Sequence, residues 1–169
     1  MSRFGDLIVE RPESKAPGFS PIDEGTSAEY LMALTECEMR RNQEGTVFIR
    51  VQGQILESDG DEPVGSYRTI FLYSNSISYK TLVPKFIAAL NGGTLPNDAD
   101  GQDELFSKYI AYNVEGNVED PAKCAGTLFV YNLDGKRSKN NRVYSRKTFH
   151  AARDSDYIRH EDAVAELAS

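Results

Sequence analysis

The 169-residue chain is 40% hydrophobic and 27% charged, with a formal net charge of −7. This length fits one domain of about 100–200 residues that can bury a core without disulfide staples, and the composition excludes a disordered body. No apolar run reaches the about 18 residues of a membrane-spanning helix, and Met1 to Asp6 contains no signal-peptide core, so a cytoplasmic protein is expected, with Cys37 and Cys124 as buried free thiols.

Residues 1–28 are rich in Pro, Gly, Ser and acid (Pro12, Pro17, Gly18, Pro21, Gly25), which predicts an extended N-terminal arm without its own core. A first strand follows over Tyr30 to Arg40 and ends at the turn signal Arg41-Asn-Gln-Glu-Gly45. Thr46 to Glu57 alternates, with Val47, Ile49 and Val51 on one side and Phe48, Arg50 and Gln52 on the other. Ser58 to Pro63 is a second turn. Val64 to Ser74 is a third strand, with Tyr67, Thr69, Phe71 and Tyr73 on one face and Arg68, Ile70 and Leu72 on the other. The period then lengthens: Leu82, Val83, Phe86, Ile87 and Leu90 recur at helical spacing. Thr81 is the predicted N-cap, Pro84 falls in the first turn, and Asn91-Gly-Gly93 stops the helix. After an acidic loop, Asn97 to Asp103, Asp103 is predicted to cap a shorter helix carrying Leu105, Phe106, Tyr109 and Ile110. Two strands close the order, Ala125 to Leu133 and Arg142 to Ala151, joined by the loop Asp134–Asn141. His160 to Leu167 predicts one short helix in an acidic tail.

The order β-β-β-α-(α)-β-β is that of an OB barrel, a mainly-β, five-stranded Greek-key fold. The division is an arm over 1–28, a barrel over 29–153 and an acidic C-terminal tail over 154–169. An open sheet packed by a helix has the same order and is the alternative. In an OB barrel the loops between strands 1 and 2 and strands 4 and 5 flank the binding face, here Arg41–Gly45 and Asp134–Asn141.

Charge is segregated. Residues 121–153 carry eight cations and one carboxylate, and residues 95–120 seven carboxylates and one cation. Binding of a polyanion follows the local field rather than the net charge. Lys136, Arg137, Lys139, Arg142, Arg146 and Lys147 fall within twelve residues, and Tyr144, Arg146 and Thr148 share a strand face. Rings beside cations suit a single nucleic-acid strand, because bases stack on the rings while cations track phosphates. The expected phosphate contacts are Lys136, Arg137, Lys139, Arg142 and Arg146, with Tyr144, Phe48 and Tyr73 for stacking and Arg50 and Arg68 lining the groove. Aromatic residues also build cores, and Phe71, Phe86 and Phe129 are expected there. The competing reading is a protein-interaction or virion assembly module on the same fold.

Other chemistries lack support. There is no basic recognition helix, no zinc-finger spacing and no heptad pattern. There is no G-x-G-x-x-G, P-loop or G-x-S-x-G, so no enzyme is expected. His150 and His160 have no zinc-like spacing with the cysteines. Aligning Gly101 with the invariant glycine of a calcium loop puts Pro96 and Ser107 at ligand positions, so no metal or other cofactor is expected. The acidic tail either solvates the C-terminus or competes with nucleic acid for the basic hairpin and recruits basic partners.

The runs Phe48-Ile-Arg-Val-Gln-Gly-Gln-Ile-Leu-Glu57, Pro63-Val-Gly-Ser66 and Lys85-Phe-Ile-Ala-Ala-Leu-Asn-Gly92 resemble phage-encoded OB-fold single-stranded-DNA-binding proteins. Gly126-Thr-Leu-Phe-Val-Tyr-Asn132, with Ser138, Lys139 and Tyr144, fits the same pattern, and the resemblance spans roughly residues 29–151. It implies a replication or recombination accessory that coats single-stranded DNA through the barrel face and last hairpin. Separately, a homo-oligomer that does not enter membranes is expected, with replication or recombination proteins as partners of the acidic tail. Many such proteins end in an acidic tail closed by an aromatic residue; this chain ends Glu166-Leu-Ala-Ser169.

Overall fold

A computed structural model describes residues 3–8, 25–137 and 139–169. Ser138 and residues 1–2 and 9–24 of the expected arm lie outside the described residues. The alternating first half folds as β1 (Ser27–Arg41), β2 (Val47–Asp59) and β3 (Tyr67–Tyr73). Helices α1 (Tyr79–Leu90) and α2 (Ala99–Tyr109) follow, then a two-residue strand β4 (Ala111–Tyr112). The chain ends with the hairpin β5 (Leu128–Arg137) and β6 (Val143–Ala151) and the helices α3 (Asp154–Arg159) and α4 (Glu161–Ala168).

The strands form one sheet in the order β3-β2-β1-β5-β6, antiparallel except that β4 joins β1 in parallel at Glu38 and Met39. The expectation of a mainly-β protein holds. The five-stranded barrel does not describe this sheet, which has six strands and is open. Among the described residues β3 and β6 end it and do not pair. Both strands turn a cation inward, Arg68 and Lys147, and like charges across a seam oppose pairing. Two register shifts in β1, at Leu31/Met32 and Leu34/Glu36, bend it so that it serves β2 along most of its length and β5 along its first half.

The inner face of the sheet packs under α1. Phe86 meets the rings of Phe129 and Phe149 at 5.2 and 5.0 Å, and all three are buried. The N-terminus joins the same core through a 3-10 turn at Gly5–Leu7, which buries Phe4 and Leu7. The Phe4 ring lies 5.9 Å from Phe106 and 6.0 Å from Tyr112. Arg3 lies 4.8 Å from the Tyr112 ring centroid and pairs with Glu119 at 2.7 Å.

Several element boundaries differ from expectation, and β5 runs on to Arg137, so Asp134–Arg137 of the expected loop Asp134–Asn141 are strand. Helix α1 begins after Ser78, one turn before Thr81, because Leu82 N–H bonds the Ser78 carbonyl at 2.8 Å, and Pro84 therefore sits in the second turn. Helix α2 begins after Asp98, whose carboxylate accepts the Gly101 N–H at 2.9 Å, rather than at Asp103. The tail is two helices, not one, with His160 at the break.

These tail helices dock on the outer face of β1 and β5. Val164 and Leu167 pack against Leu31, Ala33 and Leu128, and the Tyr157 hydroxyl accepts the Leu128 N–H at 2.9 Å. Arg159 donates to Glu57 at 2.9 and 3.1 Å, and His160 bonds the same carboxylate. Gly126, at φ +97°, lets α4 approach: a Cβ there would stand 2.8 Å from the Val164 carbonyl oxygen. Among the described residues no helix is long and apolar enough to cross a membrane.

Candidate nucleic-acid interface

Strand pairing arranges the outer face of β1–β3 in cross-strand rows. Arg40, Phe48 and Tyr73 form one row, and Glu38, Arg50 and Phe71 the next. Phe48, Phe71 and Tyr73 consequently form a triangle with centroids 5.6–6.0 Å apart, and Phe71 stacks on Tyr73 at 17°. Phe71 is 40% and Tyr73 41% exposed, and Phe48 is half-buried. Phe71 is thus not the core residue expected. Its alternation with Tyr67, Thr69 and Tyr73 carried the signal, and among the described residues that face of β3 is left partly exposed.

Arg50 stands beside the triangle, but its charge is engaged. Its Nη1 pairs with Glu36 at 2.8 Å and lies 3.9 Å from Glu38. Arg68 does not share a groove with it. Arg68 is on the inner face of β3, pairs with Glu62 and sits 5.3 Å from the Tyr131 ring centroid. Burial pushes the Tyr131 hydroxyl pKa up to about 12, against the opposing pull of the Arg68 charge.

The β5–β6 hairpin presents Lys136, Arg137, Lys139 and Arg142 to solvent. Arg137 donates to the Asn141 side-chain oxygen at 2.8 Å and to its carbonyl at 3.1 Å. Tyr144 and Arg146 face outward on β6, opposite Lys136 and Asp134, and both are half-buried. The Arg146 Nε is buried without a hydrogen-bond partner. The triangle and the hairpin lie toward opposite ends of the sheet. Phe48 is eleven positions along β2 from Asp59, which shares a row with Glu29 and Asn132, and Lys136 lies four further along β5. The structure therefore assembles two separate groups, Phe48–Arg50–Tyr73 joined by Phe71, and Lys136–Arg137–Lys139–Arg142 with Tyr144 and Arg146. The docked tail covers the Leu128 end of β5, away from the hairpin tip.

Other reactive groups are placed as structure. The Cys37 thiol is fully buried and its pKa is pushed up, first by burial and then by Glu38. Cys124 is half-buried and its Sγ donates to the Lys108 carbonyl at 3.3 Å. Among the described residues no group of three or more His, Cys, Asp or Glu side chains is arranged to hold a metal ion. No protein-family model matches the chain, and no match is found among curated proteins.

Proposed function

We propose that this chain is a non-catalytic, sequence-nonspecific single-stranded-DNA-binding protein serving DNA replication or recombination, on an OB-like framework whose β3–β6 seam stays open. The observation that carries this reading is the Phe48–Phe71–Tyr73 triangle, partly exposed among the described residues on the β2–β3 face, the face on which OB folds take oligonucleotides. Base stacking on such rings contributes about 1–3 kcal/mol per base and tolerates any sequence. The exposed cations of the hairpin supply phosphate contacts at the far end of the same strand path. The exposed carboxylates of α4, Glu161, Asp162 and Glu166, are the surface offered to basic partners.

The test is fluorescence anisotropy of a labelled oligo-dT of about 30 nucleotides, titrated at several salt concentrations with duplex as competitor. Binding that resists duplex, and falls with salt at a log–log slope near −0.7 per phosphate contact, is expected. No binding at low salt would remove this reading and leave the triangle as a protein-docking surface.

A further inference from the structure

Four charged side chains flank the stacking triangle on the outer face, and they are not equivalent. Glu36, Glu38 and Arg40 lie on β1 and Arg50 on β2. Arg50 is held: its side chain is 25% exposed and its Nη1 pairs with Glu36 at 2.8 Å. Glu38 is buried and fixed by the Asn113 Nδ2, which donates to it at 2.8 Å. Arg40 differs from both. Its side chain is 56% exposed, and its one ion pair among the described residues is with Glu38, at 3.5 Å. An exposed pair of that length contributes little, so the guanidinium can exchange it for a phosphate at small cost.

Register puts Arg40 beside the rings. It stands directly across from Phe48, in the row that ends in Tyr73. Side chains directly opposite on neighbouring antiparallel strands have Cβ atoms about 4.5–5.5 Å apart. A base stacked on Phe48 or Tyr73 carries its phosphate past the margin of the ring, within the sweep of an arginine. Glu38 and Glu36 occupy the next rows, on the side of the tail helices, and repel a phosphate from there. The Arg40 end of the triangle is where the field favours an anion.

We propose that Arg40 is the phosphate-contacting residue of the triangle. Arg40, Phe48, Phe71 and Tyr73 then form one nucleotide-sized site, in which rings stack bases and one guanidinium holds the adjoining phosphate. The inference rests on the single-strand reading and deepens it. Rings alone accept any flat ligand, whereas a planar guanidinium fork that meets two phosphate oxygens ties the site to a phosphodiester.

The test uses the full chain with labelled oligo-dT of about 6 and about 30 nucleotides, titrated at several salt concentrations. Arg40→Gln should weaken binding of both by about tenfold and flatten the log–log salt slope by about 0.7, the loss of one phosphate contact. Arg40→Lys keeps the charge and should restore the slope, which a merely structural role would not do. Lys80→Gln removes the same charge from an exposed position on α1 and should leave affinity and slope as in wild type. Thermal unfolding of Arg40→Gln should match wild type, so that a folding defect does not account for the loss. An unchanged slope in Arg40→Gln, with wild type binding both lengths, overturns the assignment of Arg40 and leaves the single-strand reading standing. A slope change with the longer oligonucleotide alone, or binding of the longer one alone, also overturns it, since Arg40 would then act away from the triangle. Binding of neither length by wild type removes the single-strand reading and this proposal with it.

Discussion

On β3, Arg68 and Phe71 are three residues apart and point to opposite sides of the sheet, so neighbours in sequence serve different surfaces. Stacking and charge contacts are separable in consequence. Replacing Phe71 or Tyr73 with Ala should weaken oligo-dT binding by about 1–3 kcal/mol and leave the salt slope unchanged. Replacing Lys136 and Arg137 with Glu should flatten that slope by about 0.7 per lost phosphate contact. Equal slope changes in both sets of variants would show that the triangle does not stack bases. Arg50 should matter less than its position suggests, because Glu36 already holds its guanidinium.

At the level of elements, the N-terminal turn is part of the core. Phe4 is 1% exposed and meets residues about a hundred positions away. Phe4→Ala should therefore cost about 3–5 kcal/mol by chemical denaturation. The turn is tied down by Glu119, whose pKa is lowered to about 2, first by Lys123, then by the Tyr112 N–H, with Arg3 adding to the effect. A folded-state pKa below the ordinary 4.5 means the stabilising contribution is complete above that pH and is lost as pH falls toward 2. Glu119→Gln should flatten the acid limb of the stability profile across this window; an unchanged limb would show that Glu119 does not hold the turn. The strands were legible in the sequence because each buries one face: Val47, Ile49 and Val51 alternate with Phe48, Arg50 and Gln52. The core role of Phe4 was not legible, since its partners are set by the fold and not by local pattern. Phe71 was misplaced for a related reason. Alternation identifies a face, but not whether another element covers it.

At the scale of the whole molecule, the separation of triangle and hairpin predicts a length dependence. OB-fold sites span about 4–16 nucleotides, and only a long strand can reach both groups. The Lys136→Glu, Arg137→Glu double variant should bind an oligo-dT of about 6 nucleotides as wild type does, yet lose affinity for one of about 30. Equal losses at both lengths would place the two groups in one compact site. The hairpin itself was legible from charge density. The open seam was not, because strand order alone does not reveal whether the first and last edges meet.

That open seam bears on solubility. A sheet with two free ends offers two templates for another molecule's backbone, and natural proteins guard such ends with inward-pointing charges. Arg68 and Lys147 sit where such guards are needed, on the inner faces of β3 and β6. Replacing both with Val should convert these ends into adhesive surfaces, seen as concentration-dependent association in sedimentation velocity. The same two cations would then keep each copy of the sheet from joining the next.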